Sequence, residues 1–214
     1  MKKTFITIFF ITCSLIQAFG QISFGVKAGL NVSNVKNIGS AANKTRIGFN
    51  GGLLTEIKIG KKVIVQPEVL YSIKGNKFPA TPFNGGGTLS LNYISIPVLG
   101  GFRLTNKFTL LAGPEFNFLT TANSKFDGTN HDGTKIYRKF DFAIDLGVAY
   151  TIIHGLGAEL RYSYGFEDLV DVTYTDQNGN DIGTGRIGSN RVFQLGVFYK
   201  FSKKREPSNN TCPC

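Results

Sequence analysis

Few residues in this chain could do covalent chemistry. Its histidines are His131 and His154, and its cysteines are Cys13, Cys212 and Cys214. Acyl transfer or hydrolysis by a triad needs a His within reach of a Ser and an acid to orient it. His131 lies among Asp127, Asn130 and Asp132 in a polar stretch, and His154 lies in a short spacer with no strand-borne Ser beside it. Neither assembles a triad, so no catalytic residue is expected. The run Asp176-Gln177-Asn178-Gly179-Asn180-Asp181 spaces oxygen ligands as a calcium loop begins, but lacks the Gly at its sixth position and the closing Glu. It reads instead as a hairpin tip around Asn178-Gly179, and Asp127 to Gly133 reads the same way. Cys212-Pro213-Cys214 could form a strained local disulfide or bind a soft metal. Metal sites normally need three or four ligands, so the tail is expected to be inert, with no metal and no cofactor.

The chemistry with most residues behind it is ion pairing. Lys27, Lys58, Glu68, Arg103, Glu115, Asp141, Asp145, Glu159 and Arg161 all fall on the polar face of alternating segments. Asn50, Glu56, Gln66, Lys74, Asn117, Glu167, Gln194 and Lys200 share those faces. Phe140, Phe142, Ile144, Leu146, Val148, Tyr150 and Ile152 alternate with Asp141, Ala143, Asp145, Gly147, Ala149 and Thr151. Leu156 to Glu167 repeats the pattern, with Glu159 and Arg161 on its polar side. Alternation alone fits a strand in either solvent. Length separates the two: soluble strands run about 5 to 6 residues, whereas a tilted strand crossing a bilayer needs roughly 9 to 11.

Eight such segments are expected, at residues 23–34, 46–59, 63–74, 91–104, 108–119, 139–152, 156–167 and 190–201. Their connectors alternate between short (60–62, 105–107, 153–155) and long (35–45, 75–90, 120–138, 168–189). Short periplasmic turns alternating with long external loops mark an outer-membrane barrel. The expected fold is therefore all-β, an eight-stranded antiparallel up-and-down transmembrane β-barrel with both termini on the periplasmic side. Residues 171–175 and 182–187 are expected to form a hairpin extension of the last long loop, although a further pair of spanning strands would read similarly. Pro67, Pro97 and Pro114 fall within strands, where each must meet a bulge or an unpaired position. Glycines crowd the polar faces, as a tightly curved barrel requires.

Met1-Lys2-Lys3, an apolar run to Ile16 and the small residues Ala18 and Gly20 form a secretory signal, with cleavage expected before Gln21. The domains are then residues 1–20 as signal peptide, 21–201 as barrel and 202–214 as a polar periplasmic tail. No apolar run reaches the length of a spanning helix. Without Lys2 and Lys3, the 24 basic residues become 22 against 14 acidic, a net charge of +8. These charges are scattered through strands and loops, so nucleic acid is not an expected partner.

The signal ending before Gln21, Phe24-Gly25-Val26-Lys27-Ala28-Gly29-Leu30-Asn31, Tyr93-Ile94-Ser95-Ile96-Pro97-Val98-Leu99, Gly113-Pro114, Arg161-Tyr162-Ser163-Tyr164-Gly165 and Asn190 to Gly196 carry a resemblance. Over nearly the whole mature chain, the sequence resembles the porin-like outer-membrane β-barrel proteins of Bacteroidetes, which include the PorT-like proteins. The resemblance implies fold and location, and adds a secretion-accessory role. Such barrels usually end on an aromatic residue; Phe201 fits, but thirteen residues follow it.

An eight-stranded barrel is just wide enough for its own side chains to fill, and unpaired buried charge costs several kcal/mol per ion. The charged set is therefore expected to pair across the lumen and close it, with Arg161 among carboxylates. The expected function is non-enzymatic: a structural, surface-interaction or secretion-accessory barrel. It would be surrounded by outer-membrane lipid, monomeric, and meet a surface or envelope-machinery protein through its long loops or periplasmic turns. The alternative is a narrow porin-like channel for small solutes or ions, and behind it an outer-membrane lipid-modifying enzyme.

Overall fold

The computed structural model describes residues 22–36, 44–80, 86–126, 129–166, 169–175 and 181–201. The expected signal peptide, the Cys-Pro-Cys tail, Glu167 and most of the Asp176–Asp181 tip lie outside them. The strands in chain order are β1 (Ile22–Lys36), β2 (Lys44–Ile59), β3 (Val63–Phe78), β4 (Gly87–Arg103), β5 (Phe108–Phe126), β6 (Thr129–Asp132), β7 (Phe140–Ile153), β8 (Leu156–Gly165), β9 (Val170–Thr175), β10 (Asp181–Ile187) and β11 (Ser189–Phe201).

Eight of these close on themselves: β4, β3, β2, β1, β11, β8, β7 and β5 pair in that order, and β5 returns to β4. Every junction is antiparallel, and β1 meets β11 from Phe24↔Phe201 to Lys36↔Ser189. Closure leaves no open edge over the spanning region, the one way a sheet can satisfy its backbone in hydrocarbon. The short β6 extends β5 as a small hairpin, and β9 and β10 form a separate two-stranded sheet. The hairpin at 171–187 therefore adds no spanning strand.

Short turns collect at one end. At Ile153-His154-Gly155-Leu156 both central residues have positive φ, 32° at His154 and 88° at Gly155, and Ile153 pairs with Leu156. This is the two-residue loop whose twist suits a hairpin. At the long-loop end, three strands outrun the sequence expectation. β3 continues to Phe78, β4 begins at Gly87 and β5 reaches Phe126, so much of 75–90 and 120–126 is sheet and not loop. The side chains there are polar and small, which hid their period.

The prolines sit at interruptions of the ladder. Pairing of β3 with β4 skips from Pro67↔Val98 to Leu70↔Ser95, and pairing of β4 with β5 skips from Pro97↔Glu115 to Gly100↔Ala112. Pro lacks the amide that those rungs would use. Near one of these gaps the backbones approach closely: a Cβ on Gly113 would lie 2.2 Å from the Val98 carbonyl oxygen.

The wall has two unlike faces. Outward side chains are large and apolar, among them Leu53, Leu146, Leu160 and Leu195, each more than half exposed. Inward neighbours Glu68, Glu115, Asp141, Asp145, Glu159 and Arg161 are at most 2% exposed. Water would not tolerate an apolar belt this continuous, whereas hydrocarbon requires it. Aromatic rings edge that belt at both ends. Phe49 contacts Tyr71 and Phe118 contacts Phe140 toward the long loops, and Phe108 contacts Tyr150 near the short turns. Interfacial girdles of this kind flank the outward band of membrane barrels.

Candidate functional site

The inside of the barrel is layered. Midway along it, Arg161 on β8 reaches carboxylates from three strands. Its Nη2 lies 2.7 Å from Glu68 Oε1 on β3 and 2.6 Å from Glu159 Oε1 on β8, and its Nη1 lies 3.2 Å from Asp145 Oδ2 on β7. Lys27 Nζ on β1 shares two of these acids, at 2.5 Å from Glu159 and 3.5 Å from Glu68. Gln66 Nε2 donates to Glu68 Oε1 at 2.7 Å. Period 2 explains why these groups meet. Glu159 and Arg161 are successive inward positions of one strand, and Asp145 is inward on the neighbouring strand, where it pairs with Ser163.

A second cluster lies toward the long loops. Lys74 Nζ contacts Glu115 Oε1 at 2.7 Å and donates to Asn117 Oδ1 at 2.9 Å, while Ser163 donates to Glu115 and Ser95 to Asn117. Asn190 Nδ2 donates to Asp141 Oδ2 at 2.7 Å. A third cluster marks the short-turn end: Glu56 binds Arg103 and, at 2.6 Å, Lys200.

Apolar side chains separate and cap these layers. Leu54, Ile64, Leu99, Leu111, Ala149 and Phe198 form a buried cluster on the short-turn side. At the opposite mouth, Val35, Leu89, Leu91, Tyr93, Leu119, Ala122 and Leu169 form another, with Phe78, Tyr137 and Val170 against it. Leu169 belongs to the last long loop, and the Tyr137↔Val170 bridge ties that loop to the segment before β7.

The sequence candidates thus divide among several groups. Lys27, Glu68, Asp145, Glu159 and Arg161 are brought together; Glu115 belongs with Lys74, and Asp141 with Asn190. Arg103 and Lys58 do not join the central group. Both are only partly buried, near the short turns where the lumen opens to solvent, and Arg103 serves Glu56. That corrects the expectation of one network. Sequence reasoning also missed the two apolar caps and Asn190. The cap at the long-loop mouth was missed because Leu89, Leu91 and Tyr93 face inward while their outward neighbours Thr88, Ser90 and Asn92 are polar, the reverse of the alternation in the apolar-walled part of the barrel.

The remaining candidates stay apart. His131 is exposed on β6 and His154 lies in a short turn at the other end. Asp132 has its Oδ1 engaged by the Thr134 hydroxyl at 2.6 Å and amide at 2.9 Å, which holds its carboxyl below the ordinary range. No group of three His, Cys, Asp or Glu among the described residues could hold a metal ion.

Solved structures similar to this barrel include several outer membrane proteins. Neisserial surface protein A is similar over 85% of this chain and 100% of its own, at 14% identity and a TM-score of 0.54. Ail, the attachment invasion locus protein of Yersinia pestis, solved with the heparin analogue sucrose octasulfate, covers 85% of this chain and 100% of its own at 16% identity and a TM-score of 0.49. A major outer membrane protein of Thermus thermophilus has the same coverage and identity at a TM-score of 0.47. At such identities the likeness is one of fold alone. No curated protein matches the sequence. The model of the outer membrane protein β-barrel domain, however, matches residues 17–171. With that match over most of a closed, apolar-walled barrel, the chain belongs to the outer membrane protein β-barrel domain family.

Proposed function

We propose that this protein is a non-conducting, non-enzymatic barrel of the outer membrane, which anchors its long external loops for contact with a surface or envelope partner. The observation that carries the reading is the sealed interior. Arg161, fully buried, is clamped by three carboxylates, and an apolar layer lies above and below that layer. An ion crossing this barrel would have to leave water at each apolar layer and displace paired charge between them. Function then moves to the ends of the barrel. The resemblance to PorT-like proteins supports a secretion-accessory variant of the same role, in which the partner is envelope machinery. Residues 1–20 serve as the export signal in this reading.

Planar-bilayer recording tests it. The purified protein is expected to give no stable open level; reproducible conductance with a fixed unit step would refute the sealed lumen. One observation favours a second reading, a narrow hydrated path. Glu115 Oε2, Glu159 Oε2, Arg161 Nε and Gln194 Oε1 are buried and make no hydrogen bond to the described residues. In a roomy polar cavity such atoms bind water, and the same recording distinguishes the two readings.

A further inference from the structure

The strand register places three lysines in one row on the outer face of the barrel. Lys44 on β2 pairs directly with Lys77 on β3. Lys77 pairs with Thr88 on β4, Thr88 with Lys125 on β5, and Lys125 with Asn130 on β6. All three lysines are exposed. They face outward, because Asn76 and Leu89, the inward neighbours of Lys77 and Thr88, are fully buried. Neighbouring strands are about 5 Å apart, so the three ammonium groups share a strip about 15 Å long.

Like charges directly opposite each other on a sheet, as at Lys44 and Lys77, are destabilising. None of the three forms an ion pair among the described residues. The connections next to Lys44 and Lys77, residues 37–43 and 81–85, contain no Asp or Glu, and the connection next to Lys125 contains one acid, Asp127. On β6, the carboxylate of Asp132 faces Asn123 and is engaged by Thr134.

Across tilted strands the row climbs about 3 Å per strand, and its height at Thr88 identifies what could balance it. On β4 the outward residues run Val98, Ile96, Ile94 and then Asn92, Ser90, Thr88; on β5 they run Phe116, Phe118 and then Thr121, Asn123, Lys125. The change from apolar to polar falls between the pair Ile94↔Phe118 and the pair Asn92↔Thr121, where Asn92 Nδ2 donates to Thr121 Oγ1 at 2.7 Å. That is the edge of the hydrocarbon. Thr88 lies four residues beyond Asn92, which at about 3.3 Å per residue and a tilt of about 40° is about 10 Å along the membrane normal. The polar layer of a bilayer is roughly 5 to 8 Å deep on each side, and lysine stems bend toward it.

We propose that Lys44, Lys77 and Lys125 form a docking row for the phosphorylated headgroup of an anionic lipid in the outer leaflet. The phosphates lie between the ammonium groups, with Thr88 and Asn130 as neutral hydrogen-bond partners along the same row. The lipid supplies counter-charge to the row.

The test uses the full mature chain folded into phosphatidylcholine nanodiscs, with and without lipopolysaccharide, and the variant Lys44→Gln/Lys77→Gln/Lys125→Gln. Lipopolysaccharide is expected to raise the midpoint of thermal unfolding of the natural protein, and the dephosphorylated glycolipid is not. Binding should weaken about fivefold for each lysine removed and fall with added salt. In phosphatidylcholine alone the variant should unfold at or above the natural midpoint, since repulsion has been removed. An equal response of variant and natural protein to lipopolysaccharide overturns the proposal. So does an equal rise with inorganic phosphate alone, which would mark an ion site, or a variant less stable in phosphatidylcholine alone, which would mark a structural row. If the triple variant does not fold, Lys77→Gln, which removes the middle charge, carries the same comparisons.

Discussion

Replacing Arg161 with Met is the sharpest perturbation of the lumen, because Met keeps much of the side-chain volume and removes only the charge and its donors. The guanidinium is fully buried and lies within 2.6 to 3.2 Å of Glu68, Glu159 and Asp145. Lys27 remains in place for two of these acids, at 2.5 and 3.5 Å. Asp145 has Arg161 as its only ion-pair partner among the described residues, so it is the group left stranded. Removing one partner of a buried pair costs about 3–5 kcal/mol, and the help from Lys27 sets the expectation at the lower end, about 3 kcal/mol. Adding Asp145→Asn to the variant removes the stranded charge and should recover part of that loss, which a double-mutant cycle would report as coupling. The chain contains no Trp, so unfolding is best followed by circular dichroism in detergent or by the gel shift between folded and boiled forms. A loss below about 1 kcal/mol would refute the reasoning, since that is the range of a solvated surface pair. It would mean that water carries the lumen charges, and would favour the narrow path over the sealed barrel.

Three further outcomes are expected. Leu146→Arg places a cation on the apolar wall, where Leu146 is 58% exposed, and should cost roughly 2 to 4 kcal/mol near the midplane; urea unfolding in vesicles measures it, and unchanged stability would invert the assigned faces. Gly113→Ala puts a methyl group 2.2 Å from the Val98 carbonyl, forcing β4 and β5 apart at a cost of about 1 to 3 kcal/mol, visible as a lower thermal midpoint. Intact mass of protein extracted from membranes should correspond to a chain beginning at Gln21; a mass retaining residues 1–20 would refute the signal assignment.

Much of the barrel was legible because one physical rule acts on every spanning residue. Asp145 and Leu146, or Glu159 and Leu160, are adjacent in sequence and opposite in solvent, so their types declare the face. The rule loses its power where the apolar side changes face. Leu89, Leu91 and Tyr93 point into the outer mouth while Ile94 and Ile96 point toward lipid, and composition cannot separate them. It also fails beyond the hydrocarbon, where the outward Thr88 and Ser90 are polar and the inward Leu89 is apolar, so residues 87–90 read as loop and are strand. Partners across the lumen were hidden for a different reason. That Glu68 lies opposite Arg161 depends on register and curvature summed over several strands, which no local spacing encodes.

The layering gives a reason why a barrel this small keeps so much charge inside. An all-apolar lumen would pack, but would leave the inward face as greasy as the outward one. A one-residue slip of register, which exchanges the faces of a strand, would then cost little. With Glu159 and Arg161 inward, the same slip on β8 would put two charges into hydrocarbon and strand Glu68, Asp145 and Lys27. The central pairs therefore penalise the wrong registers far more than they stabilise the right one. The apolar caps have the opposite task. Leu54, Ile64, Leu99 and Phe198 on one side, and Leu89, Leu91 and Leu169 on the other, keep bulk water from competing for those pairs, which raises the cost of losing any one of them. On this argument substitutions in a cap should weaken the charge pairs without touching them. Leu99→Ser should lower the coupling between Arg161 and Asp145, and an unchanged coupling would show that the caps and the central layer act independently.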